Sequence, residues 1–465
     1  MAASDRCGGS RLDEGMLAEL QIELARIRSV QIASGPVVTG HVVACDGGLI
    51  EVAGLALPIG SLGAIENEFG EEALAEVIGF RGGHSLMMLL GDTQLLKPRA
   101  IVRAVGTPGT VKVGNALLGR AVDGLGNPID GGPPLDLLYK HPLSGKREGA
   151  LERAPVTQSF DCGVRAINAL ATMGVGQRMG VIAGSGVGKS VLIDTVAGHA
   201  VADITVVALI GERAREVSDF VARHMTGLRR GRMVVVAVPA DHAPNLRLRA
   251  AQYATAIAEH FREQGKRVLL VLDSLTRVAH AARELALVLG EPGAARGYPP
   301  SALAAVTKLV ERAGNSAQSG GAVTGLYTVL ADGDDTSDPV VDTARAILDG
   351  HIVLSRDLAQ RGHYPAIDVP ASLSRVMDDL VDPTIAQSSR EIRALISARE
   401  DNRDLVLMGA YRAGSDPVLD RAIAHGSAID DFLTQSRGDA VNLQESLAGL
   451  TALCSLMAQD APVHG

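Results

Sequence analysis

Between Val181 and Ser190 the chain runs Val-Ile-Ala-Gly-Ser-Gly-Val-Gly-Lys-Ser, and no other ten residues constrain the fold as much. An apolar run, a glycine-rich turn and a helix start predict a strand that delivers its end to a helix N-terminus. Backbone N–H groups freed by Gly184, Gly186 and Gly188 can close around phosphate oxygens there. Lys189 would reach the β- and γ-phosphates, and the Ser190 hydroxyl would ligate Mg²⁺. The strict pattern opens on glycine where this chain has Ala183, a residue that still permits a tight turn. The expected nucleotide-binding set is Gly184, Ser185, Gly186, Val187, Gly188, Lys189, Ser190 and Val191, and the expected ligand is a nucleoside triphosphate with Mg²⁺.

Composition bounds the rest. A chain of 465 residues, 46% of them apolar, suggests about three domains with sizeable cores. It contains no uninterrupted apolar run of membrane-spanning length and no cationic-then-apolar leader. Cys7, Cys45, Cys162 and Cys454 lie far apart without metal spacing, which fits reduced thiols in a cytoplasm. A formal charge of −9 and only 3% aromatic residues argue against nucleic acid as the main substrate.

Four textures follow one another along the chain. Residues 12–30 carry Met16, Leu17, Leu20, Leu24 and Ile27 at helical spacing, as expected either for a helix packed on its own domain or for one docking a partner. Residues 31–98 hold short β-rich runs broken by Gly47, Gly48, Gly54, Gly60 and Gly63, the pattern of a small barrel or sandwich. Residues 99–384 alternate apolar runs with amphipathic stretches. Strands are expected at Met179–Ala183, Thr205–Ile210, Met233–Val238, Val268–Leu272, Val323–Leu330 and His351–Leu354, with helices at Asn245–Gln264 and Leu275–Leu289. That alternation predicts an α/β fold with a parallel sheet covered on both faces. Residues 385–465 turn helical, from Ile385 to Arg412 and from Ala440 to Gln459.

Two acidic residues complete a hydrolytic constellation. The run Val268-Leu-Leu-Val-Leu-Asp273 ends a buried strand in a carboxylate suited to hold Mg²⁺ through water. Glu212 follows another such strand, where a carboxylate can orient the water that attacks a γ-phosphate; it can equally be a surface or helix-capping acid.

With these residues in place, the chain resembles the type III secretion ATPases, above all those of flagellar export, which are similar to the catalytic subunits of rotary ATP synthases. Five motifs in fixed order carry the resemblance: Ala183–Ser190, Gly211-Glu-Arg-Ala-Arg-Glu216, Asp273-Ser-Leu-Thr-Arg277, Gly297-Tyr-Pro-Pro-Ser301 and Leu348–Arg356. It implies a small N-terminal β-barrel, a RecA-like P-loop core and a helical C-terminal domain. It assigns Lys189 and Ser190 to phosphate and magnesium, Asp273 to the magnesium side, Glu212 to water activation and Arg213 to the γ-phosphate region. Gly362-His-Tyr-Pro-Ala-Ile-Asp368 resembles an adenine-pocket segment, which would set Tyr364 against the base unless it is plain core packing. Tyr411 would close the other side. Ser372-Leu-Ser-Arg375 resembles an arginine-finger segment; without the family, Arg375 would read as a surface residue pairing with Asp378 or Asp379.

The resemblance also implies partners: a homohexameric ring, a stator-like regulatory subunit at residues 1–30, and a coiled-coil stalk protein in a pore lined by residues 291–300. Export-gate membrane proteins, export substrates and their chaperones complete the set, with the protein at the cytoplasmic face of the inner membrane. Three functions share these motifs: a secretion ATPase, a rotary synthase subunit and a Rho-like helicase. Acidic charge and scarce aromatics oppose the helicase. Ala183-Gly-Ser-Gly, Gly297-Tyr-Pro-Pro and Gly362-His-Tyr-Pro oppose the synthase, and Ser337-Asp-Pro-Val-Val-Asp-Thr-Ala-Arg-Ala-Ile-Leu favours flagellar over virulence-type export.

Overall fold

The computed structural model describes residues 38–46, 48–67, 70–91, 96–107, 109–146, 149–331 and 338–459. The amphipathic stretch 12–30 lies outside them. Strands β1 (Thr39–Asp46), β2 (Leu49–Ala53), β3 (Leu62–Glu66), β4 (Glu72–Arg81), β5 (His84–Leu89) and β6 (Ile101–Val105) close into a barrel in the order β1-β2-β5-β4-β3-β6. Inward positions such as Val42, Ile50, Val52, Ile65, Val77, Met87 and Val102 form a core separate from the rest of the molecule. Closure leaves no unpaired strand edge. The strand that closes it, β6, lies beyond position 98, where the texture of the sequence changes.

The central sheet contains β7 (Arg120–Val122), β8 (Arg178–Ala183), β9 (Ile204–Ile210), β10 (Met233–Val238), β11 (Arg267–Asp273), β12 (Ala322–Leu330), β13 (Gly350–Leu354) and β14 (Ile367–Ser374). Their order is β14-β13-β8-β12-β11-β9-β10-β7, parallel throughout except for the antiparallel edge strand β14. The near-continuous apolar runs have a direct cause. In β9, Val206, Ala208 and Ile210 belong to one hydrophobic cluster, while Val207 and Leu209 belong to another on the opposite face. A strand buried on both sides needs apolar residues at every position.

Helices α1 (Lys189–His199), α2 (Ala214–His224), α3 (Pro244–Glu263), α4 (Leu275–Val288) and α5 (Pro300–Val310) cover the sheet. Proline opens α3 and α5, where its missing N–H would be unpaired anyway and its fixed φ suits the helix. C-terminal helices α6 (Pro383–Asp401), α7 (Arg403–Leu407), α8 (Pro417–Ala424), α9 (Gly426–Leu433) and α10 (Leu443–Gln459) follow. They have no core of their own: Ile392, Leu395, Phe432, Leu450 and Met457 join the cluster that contains Leu192 and Val207. The predicted helix 385–412 is broken at Asn402, between α6 and α7, and ends early at Leu407, before Gly409 (φ 68°), a backbone conformation that ends a helix.

Barrel and core are joined by a buried contact of 3.0 Å between the Arg249 guanidinium on α3 and the Glu76 carboxyl on β4. Asn245 adds a 3.1 Å hydrogen bond to the Met88 carbonyl. Burial pushes the Glu76 carboxyl from 4.5 up to about 7, against the opposing pull of Arg249. The native state thus keeps a proton that the unfolded chain has released. The resulting stabilisation is complete below the ordinary carboxylate range and is lost as pH rises through about 7. Thermal unfolding followed from about pH 5 to pH 8 should show stability falling by a few kcal/mol at most. Glu76→Gln should flatten that slope; an unchanged slope would place the titrating group elsewhere.

Candidate active site

Strand β8 ends at Ala183, and α1 begins at Lys189. Between them Gly186 (φ 80°) and Gly188 (φ 94°) adopt conformations that any side chain would strain. Ala183 is the last strand residue and is absent from the positive-φ positions, so its methyl fits where the strict motif has glycine. The turn leaves successive N–H groups at a helix start, a cradle suited to phosphate.

Three strand ends converge on Lys189. Its Nζ lies 2.5 Å from Asp273 Oδ1, at the end of β11, and 3.4 Å from Glu212 Oε1, two residues past β9. Burial alone would make this amine easier to deprotonate, but the two carboxylates outweigh it and hold it as ammonium, with its pKa raised. Burial likewise raises Glu212, the neighbouring Asp273 charge adds to the rise, and Lys189 opposes it. Two buried acids therefore share one cation. Glu212 is buried, and the N-cap of α2 is Arg213 without a side-chain capping bond, so the surface-acid and helix-cap alternatives fall away. Ser190, Glu212 and Asp273 line one cavity of ≈ 210 Å³. Their oxygen donors match a hard divalent cation such as Mg²⁺, which keeps most of its shell as water and phosphate.

A larger adjoining cavity of ≈ 530 Å³ is lined by Gly186, Gly188, Val191, Tyr364, Pro365 and Gln435, among others. Tyr364 is 41% exposed, which excludes plain core packing. Its ring lies against the phosphate loop, since a Cβ on Gly188 would come within 3.3 Å of Tyr364 Cε1. An aromatic face beside a phosphate cradle suits a nucleobase.

Three expected residues lie apart from this cluster. Tyr411 does not line the cavity; its hydroxyl donates to Asp420 at 2.8 Å, in the turn that ends the predicted helix early. The opposite wall is Thr434–Arg437 instead, held by the Gln435 N–H to the Tyr364 carbonyl at 2.9 Å. No motif in the sequence marks that segment. Arg213 is 86% exposed on its side chain and lies 3.8 Å from Glu216. Arg375 follows β14, is exposed, and donates to the Arg345 carbonyl at 3.1 Å, while Asp378 pairs with Arg390. The 291–300 segment is a loop between α4 and α5, anchored by the buried Tyr298 under the Arg283 guanidinium, 5.2 Å from the ring centre.

Fold and strand-end chemistry together place the chain among the RecA-like P-loop ATPases. Residues 163–374 match the ATP synthase alpha/beta family, nucleotide-binding domain, and residues 381–452 match the T3SS EscN ATPase C-terminal domain. The flagellum-specific ATP synthase of Salmonella typhimurium is 48% identical, across 88% of this chain and 92% of that protein. The assembled ATPase EscN from the enteropathogenic E. coli type III secretion system superposes with a TM-score of 0.83 at 38% identity, over 89% of this chain and 99% of that one. EscN in complex with its central stalk EscO gives 0.81 at 37% identity, again over 89% and 99%. The chain belongs to the flagellum-specific ATP synthase family, the ATPases of flagellar type III export.

Proposed function

We propose that this protein hydrolyses ATP for the flagellar type III export apparatus, coupling turnover to delivery and unfolding of export substrates and to chaperone release. The observation that carries the mechanism is Lys189 held between Asp273 and Glu212 at the mouth of the phosphate loop. Backbone N–H groups from Gly184 to Val191 bind the phosphates, and Lys189 turns from the carboxylates to the β- and γ-oxygens. Bound Mg²⁺ would neutralise charge on those oxygens. Ser190 and Asp273 would hold it, Asp273 through water. Glu212, released from Lys189, orients the attacking water and accepts its proton; its raised affinity for protons suits that role. Tyr364 stacks on the base, and Arg213 swings from solvent toward the γ-phosphate.

The working unit is a homohexamer, in keeping with the assembled state named for EscN. Residues 291–300 face its pore and meet a coiled-coil stalk, the counterpart of the EscO stalk. Residues 1–30 bind a stator-like regulator that brings the ring to export-gate proteins at the cytoplasmic face of the inner membrane. No described helix is long and apolar enough to cross a membrane.

Deleting the gene in its bacterium should lower export of flagellar proteins and leave other secretion unchanged. The EscN likeness supports a virulence-type ATPase as the second candidate, and loss of effector export instead of flagellar export would favour it. ATPase rate per subunit, measured with solution mass as protein concentration rises, should climb as rings assemble. A constant rate in a pure monomer would remove the ring. A cysteine at Ala295 should crosslink to a small coiled-coil protein in cell extracts, and capture only of contacts on the ring's outer face would displace the pore assignment.

A further inference from the structure

We propose that Thr328 is a positioning residue that fixes the Asp273 carboxylate for its metal-side role, an inference resting on the assignment of Asp273 made above. Strand β12 lies between β8, which delivers the phosphate loop, and β11, which delivers Asp273. In register, Thr328 pairs with Val181 and its neighbour Tyr327 pairs with Leu272, so its side chain is level with the site. The strand around it is buried and mostly apolar, and Thr328 itself is 0% exposed.

Packing alone would favour valine here, which has the same shape without a polar atom to bury. The hydroxyl has one proton. It lies 3.4 Å from the Leu272 carbonyl but only 2.6 Å from Asp273 Oδ1, so the carboxylate is the acceptor. Lys189 uses that same oxygen, and neither bond engages Oδ2. When phosphate draws Lys189 away, Thr328 still holds Oδ1. A β-branched side chain on a central strand has little χ1 freedom, so the bond keeps the carboxylate plane fixed. Oδ2 is then presented to metal-bound water without rotational loss. The sequence carries only a faint sign of this role, a threonine near the end of a buried strand beside the Asp273 strand.

The test measures Mn²⁺ affinity by electron paramagnetic resonance, with a non-hydrolysable ATP analogue bound and no turnover. Thr328→Val should weaken metal binding about 10- to 100-fold, the usual cost of removing a partner that orients a metal-site carboxylate. Binding of the analogue without metal should stay unchanged, which a general structural defect would not allow. Thr328→Ser, keeping the donor, should recover most of the loss. If Thr328→Val does not fold, the serine variant against Thr328→Ala gives the same comparison. Asp273→Asn separates the two levels of the argument. If it weakens Mn²⁺ binding while Thr328→Val leaves it unchanged, Thr328 has no positioning role. If Asp273→Asn itself has no effect, the assignment of Asp273 fails first. Equal losses in the valine and serine variants would also overturn the proposal.

Discussion

Lys189→Ala should abolish hydrolysis, while Glu212→Gln should keep nucleotide binding and lose about 10²- to 10⁴-fold in turnover, the span typical of a general base. The two differ because they remove different things. Without Lys189 the phosphates lose their neutralising charge, and Asp273 and Glu212 face each other with no cation between them. Two buried like charges resist joint ionisation, so this variant should also lose stability as pH rises. Glu212→Gln does the reverse. The native fold already disfavours the Glu212 charge, chiefly through burial and then through Asp273. A neutral isostere relieves that cost, so the melting temperature should hold or rise while turnover collapses, a local trade of stability for activity. Equilibrium binding of a fluorescent ATP analogue, single-turnover hydrolysis and thermal melts on both variants check this. A Glu212→Gln protein that hydrolyses at near wild-type rate would assign water activation to another group.

The strands that carry the site were legible because their chemistry is local. Six expected strands appear at β8 to β13, each an apolar run bounded by the residue it delivers: Ala183 before the loop, Ile210 before Gly211 and Glu212, Leu272 before Asp273. A sheet buried on both faces writes itself into sequence as continuous apolar runs, whatever its neighbours. What escaped depends on distant contacts. Strand β14 contains Pro370 and alternates buried with half-exposed positions, as an edge strand can, so the sheet seemed to end at Leu354. The base-pocket wall at Thr434–Arg437 is set by Gln435, which accepts from the Arg165 N–H and donates to the Gly163 carbonyl, across some 270 residues of chain. Periodicity has no access to such a contact. Tyr411 shows the complementary failure. The helical pattern from Ile385 to Arg412 passes through Gly409, whose left-handed conformation turns the chain away and gives the Tyr411 hydroxyl to Asp420. The barrel's end was blurred because β6 is short and its outward positions, Ile101 and Arg103, are exposed.

Arg375→Ala should cost about three to five powers of ten in rate, the range of arginine fingers, and the defect should lie on the neighbouring subunit's ATP. The strand directions supply the reason. Strand β14 runs antiparallel to β13, so Ser374 pairs with Gly350 at the start of the parallel strands. The phosphate loop leaves from their other end, where Ala183 pairs with Leu354. Four residues of strand at about 3.3 Å each separate the two levels, before the loop and Lys189 are added. Arg375 is therefore at the wrong end of its own sheet, exposed just past the edge strand, with its guanidinium resting on a carbonyl instead of a carboxylate. In the proposed ring that flank would face a neighbour, where a planar fork of donors could meet charge on the transferring phosphoryl group. Arg375→Ala and Lys189→Ala should each be inactive alone. Mixed rings should regain partial activity, since some interfaces pair an intact phosphate loop with an intact finger from next door, and the rate should rise and fall with mixing ratio. A mixture that stays dead, in rings shown to be mixed, leaves two explanations: a finger acting within its own subunit, or turnover that needs every site intact. A tandem-fused ring with a single Lys189→Ala subunit and all others wild type divides them. Activity there shows that turnover tolerates a broken site, so the dead mixture removes the finger in trans; silence shows that every site is needed, and single-turnover hydrolysis at the paired interfaces of the mixed ring then decides for or against the finger.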